Sequence, residues 1–244
     1  MEVIDGEAPG HPGIYRVVAD NPGPMTLTGT NTYLVGSDPC WVVDPGPDDP
    51  GHVERVRELA GDRGGIGGVL LTHSHSDHSG AIEALGVEPT DPVDGESFGG
   101  LVAVSTPGHS TDHHVYLTDD GACLAGDLVL GFGSSFVPPD GGSLASYMES
   151  LRRLRDLAPS LICPGHGPWI TDPEAKVAEY IEHRESRERG LLEAIAEGER
   201  SRMVLLDRVW SDVPEQLRPA AAIVMEAHLQ KLEAEGAITS DLDE

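Results

Sequence analysis

Short apolar runs, each closed by Gly, Pro, Asp or Asn, punctuate the first 170 or so residues. Runs at 14–18, 32–35, 41–43, 69–71, 101–104, 115–117, 122–125 and 161–163 are rich in branched side chains, which predicts β-strands. A helical period appears between some of them. Val53, Val56, Leu59 and Ala60 share one face, and so do Leu144, Tyr147, Met148, Leu151 and Leu154. Asp172 followed by Pro173 predicts an N-cap and a first-turn proline, opening a helix that carries Val177, Ala178, Tyr180 and Ile181. Strands that alternate with helices and also form hairpins imply a layered α/β fold. Beyond residue 183 the strand-like runs stop. Helical stretches at 184–198, 201–210 and 217–235 are followed by a short predicted strand at 236–239. The chain therefore divides into 1–183 and 184–244, with no flexible linker between the two parts.

Composition adds mainly exclusions. The 244 residues carry 42 acidic and 16 basic side chains, a net charge of −26. That balance argues against a broad grip on nucleic acid or an anionic membrane. No apolar stretch approaches the roughly 18 residues needed to span a bilayer. The N-terminus from Met1 to Gly6 has neither a basic start nor an apolar run, so no secretory signal is expected. Cys40, Cys123 and Cys163 form no CxxC pair, which argues against a disulfide framework or a cysteine zinc finger. The expected location is cytoplasmic.

The chemistry concentrates at the ends of the strands. The run at 69–71 leads into Thr72-His73-Ser74-His75-Ser76-Asp77-His78-Ser79-Gly80. In extended chain, alternate residues share a side, so His73, His75 and Asp77 point together. Three later runs end the same way, in Thr106-Pro107-Gly108-His109, in Gly126-Asp127, and in Pro164-Gly165-His166. If the strands share a direction, these groups meet at one sheet edge, where α/β folds bind ligands. The set is His73, His75, Asp77, His78, His109, Asp127 and His166. Seven N/O donors exceed one tetrahedral zinc and suit two metals sharing a carboxylate. Without thiolate, the set fits Zn, Mn or Fe.

These motifs, in this order, resemble the HxHxDH…H…D…H pattern of the metallo-β-lactamase superfamily over about residues 1–183. The resemblance implies an αββα sandwich with a dinuclear centre between its sheets. It assigns one metal to His73, His75 and His109, the other to Asp77, His78 and His166, and makes Asp127 the bridge. Two divalent ions are expected, zinc foremost, with a bridging hydroxide that Asp77 orients as the catalytic carboxylate. The segments 21–36, 126–131, 147–151 and 227–236 resemble the beta-lactamase-like protein 2 branch, which includes single-strand endoribonucleases and thioesterase-like hydrolases. That likeness makes the C-terminal part a winged-helix module. It also places the hairpin around 21–30 over the pocket, with Thr30 and Asn31 as substrate donors. Cysteine replaces the position of Asp127 in the commonest zinc β-lactamases, so lactamase activity is not expected here.

Other polar residues receive lesser roles. Asp44 ends a strand and is read as a residue that braces a ligand or fixes a turn. His183 lies at the junction of the two parts and is a candidate substrate contact. His113, His114 and His228 are read as packing residues, and His11 and His52 as surface or capping histidines. The expected activity is hydrolysis of an ester, thioester or lactone bond of a small molecule. The alternative is single-strand RNA cleavage, with Arg152, Arg153, Arg155 and Arg184 as the candidate basic channel; charge disfavours it. DNA binding by 217–235 is not expected, because Arg218 and Lys231 face three glutamates there.

Overall fold

A computed structural model describes residues 3–239 and 241–243; Met1 and Glu2 of the N-terminal segment read above, with Ser240 and Glu244, lie outside the described residues. The chain opens with strands β1 (Gly6–Ala8), β2 (His11–Val18), β3 (Asn31–Val35) and β4 (Cys40–Val43), helix α1 (Pro50–Gly61) and strand β5 (Ile66–Leu70). Two one-turn helices follow, α2 (Ser76–Ser79) and α3 (Ile82–Leu85). Next come β6 (Ser97–Phe98), β7 (Leu101–Ser105), β8 (His114–Thr118), β9 (Ala122–Gly126), α4 (Leu144–Leu157) and β10 (Leu161–Pro164). Helices α5 (Pro173–Ala196), α6 (Arg202–Val209) and α7 (Arg218–Ala234) complete the chain.

The strands form two sheets, ordered β1-β2-β3-β4-β5 and β10-β9-β8-β7-β6. Alternation of side chains along each strand builds three apolar layers. Tyr33, Val43, Leu70, Tyr116, Leu124, Leu161 and Cys163 point between the sheets. Leu34, Val42 and Val69, on the opposite faces of the same strands, meet Val53, Val56 and Ala60 of α1. Val115, Cys123, Ala125 and Ile162 meet Tyr147, Leu151 and Leu154 of α4 and Val177 and Tyr180 of α5. The result is the expected αββα sandwich. Near-continuous apolar runs such as 122–125 follow from burial on both faces of a sheet.

A fourth core lies in the C-terminal part, where Leu191 and Ala194 of α5 pack with Leu205, Trp210, Met225, Leu229 and Leu232. Helix α5 runs unbroken through residue 183 and changes partners between Tyr180 and Leu191. The short strand expected at 236–239 does not form. Those residues make a turn and bends after α7, and the strand-like contact is a single bridge between Ser201 and Asp243. With one bridge available, residues 236–239 have no ladder to join.

The two histidines expected at the surface are buried, His11 at 8% exposure and His52 at 1%. His52 faces Thr32 Oγ1 at 2.8 Å and the Pro45 carbonyl at 3.1 Å, tying α1 to the inner strands. His11 sits 2.9 Å from the Asp120 carboxylate. His228 is wholly buried against Trp210, as a packing role requires, with both ring nitrogens unpartnered.

Burial pushes the His228 imidazole down to about 4, against the nearby Glu188 carboxylate, from an ordinary 6.5. The unfolded chain therefore binds the extra proton. Stability held at neutral pH is lost as the pH falls from about 6.5 towards 4. His228→Gln removes this titration. Between pH 7 and 4.5 the variant should lose about 2 kcal/mol less unfolding free energy than the parent, measured by urea denaturation. Equal losses in the two proteins would contradict the account.

Candidate metal centre

Strands β4, β5, β7, β9 and β10 all deliver polar residues from their C-terminal ends. Pairing β4 with β5 and β9 with β10 in parallel, and β7 with β9 through antiparallel β8, brings those ends to one edge of the sandwich. Two close approaches hold the loops there. Gly126 takes φ +46, and a Cβ on it would lie 2.4 Å from Thr72 Oγ1. A Cβ on Gly165 would lie 2.4 Å from Asp127 Oδ1 and 2.8 Å from the His78 ring.

All seven sequence-predicted donors meet. His75 Nδ1 lies 2.9 Å from His73 Nε2 and 3.1 Å from His109 Nε2. His166 Nε2 lies 3.3 Å from His78 Nε2 and 3.2 Å from Asp77 Oδ2. Asp127 stands between the groups, with Oδ1 3.4 Å from His166 Nε2 and Oδ2 3.7 Å from His109 Nε2. Three overlapping donor sets result: His73, His75 and His109; His73, His78 and Asp127; and Asp77, His78 and His166.

The outer ring nitrogens fix what the inner ones present. His78 Nδ1 faces Asp44 Oδ2 at 2.9 Å, His109 Nδ1 faces the Phe136 carbonyl at 2.6 Å, and His166 Nδ1 faces the Gly29 carbonyl at 3.2 Å. These oxygens can only accept, so each Nδ1 carries the hydrogen. Thr72 Oγ1 donates to Asp44 Oδ2, which leaves it to accept from His73 Nδ1 at 3.0 Å. Four imidazoles thus aim Nε2 inward. Ring nitrogens about 3 Å apart repel through their lone pairs unless a proton or a cation lies between them. With Zn–N bonds near 2.05 Å, neighbouring donors of a tetrahedral site stand about 3.3 Å apart, close to the spacing here. Asp127 Oδ1 is buried without a hydrogen-bond partner. The residues present fit a divalent metal centre.

Ionisation follows the same crowding. Burial and the neighbouring His78 push His73 down. Burial acts to lower His166 too, but the Asp127 and Asp77 carboxylates overcome it and raise the ring to about 10. A cation bound among these donors takes the place of that proton. For Asp127 burial acts upward, and the His166 and His78 imidazoles outweigh it, holding the carboxyl well below the usual range.

Asp44 both braces a ligand and fixes the loop. Its carboxylate accepts from Thr72 N–H and Thr72 Oγ1, each at 2.7 Å, and from His78. Ser135 and Phe136 were not singled out in the sequence. Ser135 Oγ donates to the Asp127 carbonyl at 2.5 Å, while Phe136 supplies its carbonyl to His109. A contact made through a main-chain carbonyl leaves no mark on residue type. His113 is buried against His73, 5.3 Å between ring centres, and burial, then His109, pushes it down to about 3; it packs behind the site.

A cavity of about 550 Å³ leads from His75, Asp77, His109, Asp127 and His166 to the C-terminal part. His183 lies on its wall. Thr30 and Asn31 do not line it; both are fully buried. The substrate role expected for Asn31 is corrected: its amide donates to the carbonyls of Pro164 and Gly167, at 2.8 and 2.9 Å, pinning β3 to the β10 loop. The same correction applies to Thr30, whose Oγ1 reaches Asp77 Oδ2 at 3.5 Å, behind the carboxylate.

Comparison with known proteins agrees with this architecture. Residues 25–93 and 86–166 match the metallo-beta-lactamase superfamily, and 201–243 match the beta-lactamase associated winged helix domain. The chain belongs to the metallo-β-lactamase superfamily, whose members are generally hydrolases and typically bind divalent metals. It is similar to the Beta-lactamase-like protein 2 homolog of Drosophila melanogaster, with 33% identity over 262 residues covering 91% of this chain and 88% of the relative. A metallo-beta-lactamase family protein of Thermus thermophilus superposes with a TM-score of 0.77 at 23% identity, covering 93% of this chain and 95% of that one. A protein solved in a di-iron-bound form, TTHA1623, gives a TM-score of 0.51 at 29% identity, covering 66% and 97%.

Gly165→Ala should push Asp127 and His78 out of register. Loaded with zinc as a probe and dialysed, the variant should retain at least about tenfold less metal than the parent treated alike, read by elemental analysis with far-UV circular dichroism as the check on folding. A folded variant with full metal content would contradict the close packing described.

Proposed function

We propose that this chain is a hydrolase dependent on two divalent metal ions, which His73, His75, His109, Asp77, His78, His166 and Asp127 would hold, and that it opens an ester, thioester or lactone bond of a small molecule. The observation that carries it is the meeting of seven N/O donors at the floor of a cavity sized for a small molecule. Bound divalent metals supply Lewis acidity and an activated water at neutral pH. Zinc is the first choice for a set without thiolate; the di-iron relative keeps iron in view, and manganese suits the same donors.

The chain's own residues do the rest. Asp77 stays ionised: burial acts against this, but contacts with His166 and His78 hold its carboxyl below the ordinary range. It is the one ligand carboxylate with substantial exposure, 27% of its side chain, so it can accept a hydrogen bond from a water in the cavity. Asp44, Thr72, Phe136 and Gly29 hold four of the five imidazoles, those of His73, His78, His109 and His166, in one tautomer and orientation. Leu130, Leu217 and Val224 exclude water from the substrate body. His183, held neutral at pH 7 with its value pushed down to about 4 by burial and Arg184, is a wall contact for substrate.

The RNA reading has weaker support. Arg153 is paired with Asp94, Arg155 with Asp156, and Arg152 with Glu185, so these cations are already engaged with acids.

The test uses the full chain loaded with zinc, assayed on aryl esters, acyl thioesters, lactones and a single-stranded RNA. Turnover of an ester, thioester or lactone is expected, falling at least about 100-fold on Asp127→Ala and on chelation, and returning with added metal in the parent alone. Ester turnover that survives exhaustive chelation removes the reading, and so does RNA cleavage without it.

A further inference from the structure

Arg184 is 2% exposed and lines the cavity wall, yet it pairs with no carboxylate among the described residues. Its Nη2 donates to the Ser135 carbonyl and its guanidinium lies 5.3 Å over the Tyr147 ring. Its Nε is buried with no hydrogen-bond partner. A buried cation without a counter-charge is costly. The chain has 42 acidic residues and sets none of the described ones against this arginine. The two acids on the C-terminal half of the cavity wall are engaged elsewhere, Glu179 with Lys176 and Asp212 with Arg187.

Arg16 shows how this fold satisfies a buried arginine that serves structure alone. Its Nε and Nη2 donate to the Ile4 carbonyl, its Nη1 to the Gly167 carbonyl, and its face covers Trp169 at 4.1 Å. Every nitrogen of Arg16 has an acceptor, and Arg16 lines no part of the cavity. Arg184 has one such acceptor, the Ser135 carbonyl, leaves its Nε without any, and borders the space a ligand would fill.

We propose that Arg184 is an anion subsite, and that the substrate is an apolar acid whose free carboxylate meets this guanidinium while its ester or thioester bond reaches the metal end. This deepens the hydrolase reading and rests on it. A guanidinium presents a planar fork that matches a carboxylate. One unpaired cation balances one carboxylate, whereas a phosphate dianion would need further positive charge, and Arg187 is already held by Asp212. The surrounding wall is hydrocarbon: Leu130, Leu217, Ala221 and Val224. Ser135 links the subsite to the centre, accepting from Arg184 through its carbonyl and donating through its hydroxyl to the Asp127 carbonyl. The subsite and the metal end of the cavity thus share one loop residue.

The probes are monophenyl glutarate, which keeps a free carboxylate, and its neutral methyl ester, with the zinc-loaded full chain. The parent should favour the anion by about 10- to 100-fold in kcat/KM. In Arg184→Met that ratio should collapse towards unity; taking the ratio within each protein cancels any general loss of activity. Arg184→Gln, which retains a donor for the Ser135 carbonyl, should behave alike and serves if the methionine variant does not fold. A second readout needs no turnover: binding of glutaric monoanilide and its methyl ester to the metal-free chain, followed by calorimetry. The anion should bind the parent more tightly, and the difference should vanish in the variants.

Ester turnover with the same anion ratio in parent and variants overturns the subsite and leaves the hydrolase standing. No turnover of either ester, with anilide binding that still depends on Arg184, keeps the subsite and removes the hydrolase. Anilide binding independent of Arg184 overturns the subsite. Cleavage of a single-stranded RNA that weakens in the Arg184 variants overturns the assignment to a carboxylate.

Discussion

The Asp44 carboxylate, at the end of β4, accepts three hydrogen bonds, from the Thr72 N–H, the Thr72 hydroxyl and His78 Nδ1. The rest of the centre is built outward from this contact. Because Thr72 Oγ1 spends its hydrogen on Asp44, it accepts from His73, and so the tautomers of two rings on the same loop are set by one carboxylate. The residue adopts φ +52, a region that asparagine and aspartate tolerate better than most side chains. The position thus combines a strained backbone with three acceptor contacts, and a side chain that lacked either property would release the loop from Thr72 to Gly80. Rings held from behind in this way meet through their inner nitrogens, and the repulsion between lone pairs there is what a metal relieves.

The same logic ties the two halves of the chain together. His109 is held by the Phe136 carbonyl and Asp127, through its own carbonyl, by the Ser135 hydroxyl, so the loop between β9 and α4 fixes one ligand in each of two of the three donor sets. That loop is itself held by Arg184 of α5, the helix that starts on the sandwich and ends in the C-terminal core. The helix therefore joins the winged-helix part to the loop behind the centre, although no residue of α6 or α7 belongs to the donor sets. It also explains why the cavity has two chemistries. Its floor is made by strand ends that must hold charge, and its far wall by α7 and its preceding turn, which supply hydrocarbon.

Much of this was legible before any coordinates. The eight strand runs predicted before residue 170 fall on strands, with Leu71 just past the end of β5, because burial on both faces demands continuous branched residues and glycine or proline must end them; the run at 236–239 had no such burial and does not form a strand. The seven donors were legible for a related reason: polar residues at four strand ends have no cheap explanation apart from one another. What escaped detection depended on partners distant in sequence. Strands β1 and β6 have three and two residues, too few to show a period. His52 looks like any helix histidine until Thr32 and Pro45 close over it. Asn31 carries the same amide whether it faces substrate or, as here, two carbonyls of the β10 loop.

Arg184 marks the boundary of that legibility. In the sequence it is one of four arginines named for a basic channel, and the other three are paired with acids. Composition says that this chain is overwhelmingly acidic, which makes partners for an arginine abundant and an unpartnered one informative. Surface charge and cavity charge therefore carry opposite messages. The exterior repels polyanions through its excess carboxylates, while the cavity wall keeps one guanidinium, that of Arg184, without a carboxylate partner among the described residues, beside donors that fit a divalent metal. That contrast is the physical basis of the proposed subsite: excess carboxylates oppose a long anionic polymer at the surface, and a guanidinium at the cavity wall offers a place for one negative group on a small molecule.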